Sequence, residues 1–181
     1  MDPIVIEQII KFIETYFKQN KNAKKLYITW FGREPLLGYD TVIKPLSQKI
    51  KKLSKRINFD YHSSIITNGF YLNLETGKEL IEYCNVDSFQ ITFDGTCSEY
   101  CKRKTTNPRA YYTTKENLLS LCDYIHTNDI KANITVKILV LVILSAAMLC
   151  ICIATILKQK ILKQLFFSIL KEEPFAVIQP M

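Results

Sequence analysis

The feature that most constrains this chain is a change of hydrophobic period that recurs along its first three quarters. Ile4, Ile6, Ile9, Ile10, Phe12, Ile13, Tyr16 and Phe17 fall at helical spacing within Met1 to Asn20, which predicts an amphipathic helix. A polar linker, KQNKNAKK, leads to LYITWF at 26–31, a β-branched and aromatic run that stops at Gly32 and reads as a buried strand. Helical period returns over Tyr39 to Leu53, with Asp40 placed to cap it and Lys44, Lys49, Lys51 and Lys52 on its outer face. A strand over Asn58 to Ile66 ends at the turn Thr67-Asn68-Gly69 and leads to a helix around Glu75 to Cys84. Ser88 to Phe93 is the next strand, ending at Asp94-Gly95. A polar, Cys-containing loop then runs to about Arg109, before a helix over Thr113 to His126 and a strand over Lys131 to Ile138. Strands alternating with helices at roughly 25–35 residues per unit imply parallel strands joined by right-handed crossovers, in an open α/β sheet or a barrel segment. In both cases chemistry gathers at the strand carboxyl ends, which here read FGREP, TNG and FDG.

Composition narrows the class further. The length of 181 residues suits one domain. With 48% hydrophobic residues, five Gly and six Pro, the chain is neither disordered nor a low-complexity linker. Twenty-four Lys and Arg against 17 Asp and Glu leave a net charge of +7. The basic residues are scattered lysines on helix faces rather than an Arg-rich stripe interleaved with aromatics, so no nucleic acid is expected as a partner. The densest cluster, Lys51, Lys52, Lys55 and Arg56, reads as a solvated helix face.

The cysteines are Cys84, Cys97, Cys101, Cys122, Cys150 and Cys152. The first twenty residues read as a helix and not as a signal peptide, which favours reduced thiols and a cytoplasmic protein. Cys97 and Cys101 form a CxxxC pair and Cys150 and Cys152 a CxC, but neither has a third ligand nearby, so no metal site is assigned. His62 and His126 also lack partners at ligand spacing and read as satisfied or surface histidines. Trp30, Phe31, Phe59 and Phe93 read as core aromatics.

After Lys137 the composition changes. Residues 138–157 are uncharged and apolar, long enough as a helix to cross about 30 Å of hydrocarbon. They define a candidate transmembrane segment within a long apolar helix expected over 138–170, and 158–181 form a basic tail. Lys158, Lys160, Lys163 and Lys171 in that tail outnumber Lys131 and Lys137 before the run, against the charge asymmetry of a simple span from a cytosolic domain.

The three strand ends together resemble the radical S-adenosylmethionine (radical SAM) enzymes, in particular the peptide-modifying branch that includes anaerobic sulfatase maturases. That family writes WFGGEPLL, a strand ending TNG, and a strand such as QITLDG. This chain has Trp30-Phe31-Gly32-Arg33-Glu34-Pro35-Leu36-Leu37, then Ile65-Ile66-Thr67-Asn68-Gly69, then Gln90-Ile91-Thr92-Phe93-Asp94-Gly95, in that order and one βα unit apart. The resemblance covers residues 1–137 and implies an incomplete parallel (β/α) barrel. It further implies S-adenosylmethionine and a [4Fe–4S] cluster as cofactors, and a peptide or protein substrate. By the same match, Gly32, Arg33, Glu34 and Pro35 stand beside the methionine end of the cofactor, Thr92 reaches its ribose, and Thr67, Asn68 and Asp94 line the barrel mouth. Arg103, with Arg109 as the fallback, is the candidate to hold the cofactor carboxylate bidentately.

Two departures from the family pattern matter. Arg33 stands where the family has a second Gly, adding a Cβ and a positive charge near an ammonium site. The CxxxCxxC loop that holds the family's cluster does not occur in these residues, and after Cys97 and Cys101 the third position is Lys104. The expectation is therefore a fragment of a radical SAM enzyme that is inactive by itself. The competing reading is a non-catalytic, membrane-tethered or peptide-binding remnant of the barrel.

Overall fold

The computed structural model describes residues 2–105 and 107–137, together with the backbone of Leu165 and Phe166. Helix α1 (Pro3–Gln19) starts where Asp2 accepts a hydrogen bond from the Ile4 N–H at 2.8 Å, with proline at its first position. Strand β1 (Lys25–Trp30) follows. A 3₁₀ turn (Pro35–Gly38) and a π turn (Tyr39–Ile43) then feed α2 (Lys44–Ile57). The chain continues through β2 (Asp60–Thr67), α3 (Leu74–Cys84), β3 (Val86–Thr92), α4 (Cys97–Arg103), α5 (Pro108–Thr127), β4 (Asn133–Lys137) and β5 (Leu165–Phe166).

All pairings are parallel, and the strands lie in the order β1-β2-β3-β4-β5. Sequential order has no point at which the winding reverses, so the doubly wound alternative is replaced by the arrangement of a partial (β/α) barrel. Burial alternates along β1, β2 and β4, and along β3 from Ser88 onward. Trp30, Tyr61, Ile65, Phe89, Ile91, Ile134 and Val136 are buried, and successive helices pack side by side, α1 on α2, α2 on α3 and α3 on α5. The contact between α3 and α5 is close because Gly77 has no side chain; a Cβ there would come within 2.8 Å of Leu121 Cδ1. The alternate strand positions, including Tyr27, Thr29, His62, Ser64, Gln90 and Thr92, form a mostly polar opposite face. Left-handed Asn58 (φ 59°) and Asn85 (φ 53°) end α2 and α3 and turn the chain at once into the next strand.

One irregularity interrupts the ladder. Ser63 pairs with Val86 and Ser64 with Ser88, so Asp87 is an extra residue on β3. Its carboxylate meets His62 Nδ1 at 2.6 Å, and the imidazole stacks on Tyr27 with ring centroids 5.3 Å apart. His62 is thus a satisfied histidine.

Several expectations need correction. Asp40 does not cap a helix: the helical stretch opens earlier, at the 3₁₀ turn, where Glu34 accepts from the Leu36 N–H. The loop expected between Gly95 and Arg109 contains α4, started by Thr96. Phe31 is 70% exposed rather than part of the core, whereas Trp30, Phe59 and Phe93 are buried. Most of the long helix expected over 138–170 lies outside the described residues, but Leu165 and Phe166 are a strand paired with Ile134 and Thr135, so no helix runs through them. The candidate span at 138–157 also lies outside. Among the described residues no helix is long and apolar enough to cross a membrane.

Candidate active site at the strand carboxyl ends

The site is built around Glu34. It stands in extended conformation just past β1, and its carboxylate is shared among three donors from two different turns. Oε1 accepts from the Leu36 N–H at 3.1 Å and from Thr67 Oγ1 at 2.7 Å, and Oε2 accepts from the Asn68 N–H at 2.9 Å. The first motif is thereby fastened to the second. Thr67 Oγ1 in turn accepts from the Gly69 N–H at 3.0 Å, and Asn68 Oδ1 from the Phe70 N–H at 2.8 Å. Gly69 has φ +77°, and a Cβ there would lie 3.0 Å from Ile91 and 3.1 Å from Thr114, so a side chain at this turn would be strained and crowded where glycine is not. From α5, Asn117 Nδ2 donates to the carbonyls of Gly69 and Phe70 at 3.1 and 2.9 Å.

The third motif carries an ion pair between the buried Asp94 and Lys104, whose side chain is partly covered. Lys104 Nζ donates to the Thr92 carbonyl at 2.6 Å, stands 3.8 Å from Asp94 Oδ2, and lies 5.2 Å from the centre of the Tyr100 ring. Burial holds the Lys104 pKa below its ordinary value, opposed by the charges of Asp94 and Glu34. Asp94 Oδ1 is buried with no hydrogen-bond partner among the described residues, an acceptor left open at the end of β3.

Above these turns lies a cavity of about 560 Å³ lined by Arg33, Asn68, Phe70, Tyr71, Tyr100, Lys104, Thr105, Asn107, Arg109, Ala110 and Thr113. Three cations face it and its lining contains no carboxylate. Gly32, Arg33, Glu34, Pro35, Thr67, Asn68, Thr92 and Asp94 thus come from the ends of three adjacent parallel strands, with Arg33 and Asn68 in the cavity wall itself. Arg33 is not among the described residues with positive φ, so the side chain standing in place of the second glycine carries no left-handed strain. Arg103 lies on α4, 3.9 Å from Glu99 and outside the cavity lining, whereas Arg109 is within it.

Sequence reasoning missed Tyr100, Asn117 and the role of Lys104. The capping pattern Thr96-x-x-Glu99 could have exposed α4 and with it the first and last of these; Thr96 does accept from the Glu99 N–H.

A sequence profile of the radical SAM superfamily matches residues 2–144. The chain belongs to the radical SAM superfamily. No curated protein matches it. Radical SAM proteins use S-adenosylmethionine together with a [4Fe–4S] cluster, and the two groups fare differently against these residues. Toward the amino acid end of S-adenosylmethionine, the residues present offer matching chemistry: Asp94 Oδ1 is a buried acceptor without a partner among the described residues, and Arg109 in the cavity wall is a guanidinium donor able to meet a carboxylate. The cluster has no such place: no group of three or more His, Cys, Asp or Glu among the described residues could hold a metal ion. Cys97 and Cys101 approach to 3.9 Å between sulfurs but remain a pair.

Proposed function

We propose that the chain is the S-adenosylmethionine-binding part of a radical SAM enzyme of the peptide-modifying, sulfatase maturase-like kind, acting on a peptide or protein side chain. The observation that carries this is the Glu34 carboxylate, which ties the FGREP and TNG turns into one rim beside the buried Asp94. In this reading the Glu34 rim orients the methionine end of the cofactor, Asp94 receives its cation, Arg109 or Arg103 its carboxylate, and Thr92 its ribose. When bound and reduced, S-adenosylmethionine supplies the family's 5′-deoxyadenosyl radical. These residues provide binding and exclusion of water, and the described thiols supply no electron route. The chain alone is therefore proposed to bind without turning over.

Calorimetry with S-adenosylmethionine tests the reading. Weak binding is expected for the natural chain, and tighter binding for Arg33→Gly, which removes a like charge beside the ammonium. Absence of binding in both proteins would overturn the assignment and favour a barrel remnant with no cofactor.

A further inference from the structure

Charge accounting at the mouth points beyond the cofactor. Of the three cations in the cavity wall, Lys104 is neutralised in place by Asp94. Arg33 and Arg109 have no ion-pair partner among the described residues, and no carboxylate lines the space they face. Both guanidiniums are always charged and present planar donor forks matched to oxyanions. Two uncompensated cations facing one cavity raise the potential there and concentrate anions.

S-adenosylmethionine cannot balance them. It brings one carboxylate against an ammonium and a sulfonium, so at most one guanidinium finds a partner and the site gains net positive charge. With that carboxylate assigned to Arg109, Arg33 is left exposed and open to a negative group from a second molecule. Arg33 is the unpaired guanidinium at the position where the family's pattern has glycine, and Phe70 and Tyr71 offer exposed aromatic surface beside it. The net charge of +7 over the whole chain favours the same sign of partner at long range.

We infer that the substrate engaged at this mouth is an acidic peptide segment whose Asp or Glu carboxylate is received by Arg33. The inference rests on the proposal that the cavity is the substrate and cofactor site, and it adds the charge class of the substrate. Arg33 is then a specificity-determining residue, trading cofactor affinity for selection of an anionic partner. A phosphorylated segment would offer the same oxyanion chemistry, with more charge per group.

Fluorescence anisotropy with labelled short peptides provides the test: one of alternating Glu and Ser, its Gln counterpart, and one with phosphoserine in place of Glu. The Glu peptide is expected to bind at least about tenfold more tightly than the Gln peptide, as charge-assisted pairing to a guanidinium predicts. Arg33→Gln should erase that discrimination. Arg56→Gln should leave it intact, since Arg56 is occupied by Glu14 at 2.8 Å between α2 and α1. Equal binding of Glu and Gln peptides, binding of neither, or discrimination that survives Arg33→Gln would overturn the inference, as would exclusive binding of the phosphoserine peptide. Calorimetry on the same protein separates the two levels. S-adenosylmethionine binding without preference for the Glu peptide removes only the charge class, whereas preference for the Glu peptide without cofactor binding removes the radical SAM assignment of the cavity.

Discussion

At the scale of single residues, Glu34 organises the mouth because its two oxygens accept from three groups on separate turns. Glu34→Ala leaves Thr67 Oγ1 and the Asn68 N–H without their acceptor in a part-buried place, and stranded donors cost about 1–3 kcal/mol each when water cannot reach them. Urea denaturation is expected to show the variant less stable by about 2 kcal/mol, with Glu34→Gln recovering part of that because it retains one acceptor oxygen. Gly69→Ala acts through the backbone instead. Its φ of +77° would strain an alanine and the 3.0 Å approach to Ile91 would crowd its Cβ, so a loss of more than about 1 kcal/mol is expected. An unchanged denaturation midpoint would show that the TNG turn can relax away from β3.

At the scale of elements, α3 is fastened to the start of α2 by one carboxylate. Glu79 accepts from Tyr39 Oη at 2.7 Å and from Lys44 Nζ at 2.8 Å. The hydrogen bond from Lys44, then that from Tyr39, holds its pKa below the ordinary 4.5, with burial opposing. A carboxyl whose folded pKa is depressed adds stability above its unfolded value and loses it as pH falls through the folded value. The stability gap between the natural chain and Glu79→Gln is therefore expected at neutral pH and should close as pH is taken below 4.5. Denaturation across that range would refute the point if the gap stayed constant.

Which elements could be read from the sequence follows the same logic of local against distant causes. The strands ending at Trp30, Thr67 and Thr92 were visible because each is a short β-branched or aromatic run closed by a turn residue. Helix α4 has only its Thr96-x-x-Glu99 capping pattern to mark it, since Tyr100 is its only buried residue and it has no apolar period. Asp40 was misplaced as a cap because Glu34 and Pro35 already start a 3₁₀ turn upstream. The motifs located the rim of the site, but the bonds that tie one turn to another join residues more than thirty positions apart, such as Glu34 and Thr67. No local pattern encodes them. Bulged Asp87 and its bond to His62 were hidden for the same reason.

At the scale of the whole molecule, the described thiols divide by burial. Cys84 and Cys122 are buried, and burial pushes the Cys122 thiol up to about 12, which keeps it protonated and inert as a ligand. Of the described thiols, only Cys97 and Cys101 are not buried, and they are two where a cluster needs three. Anaerobic reconstitution with iron and sulfide is expected to give no stoichiometric four-iron cluster; a cluster lost on Cys97→Ala would contradict this. Amide exchange should rank the strands by position, with β2 and β3 slowest because each is paired on both sides, and β1 faster at the sheet's edge. Uniform protection across β1, β2 and β3 would count against that ranking.

The same sequential order has a consequence for how the molecule is made. Each of β2, β3 and β4 pairs with the strand synthesised just before it, so no early segment has to wait for a distant partner before joining the sheet. A chain leaving the ribosome amino end first can add one helix and one strand at a time, and every stage presents an edge that the next strand will cover. The growing product is a template for its own continuation.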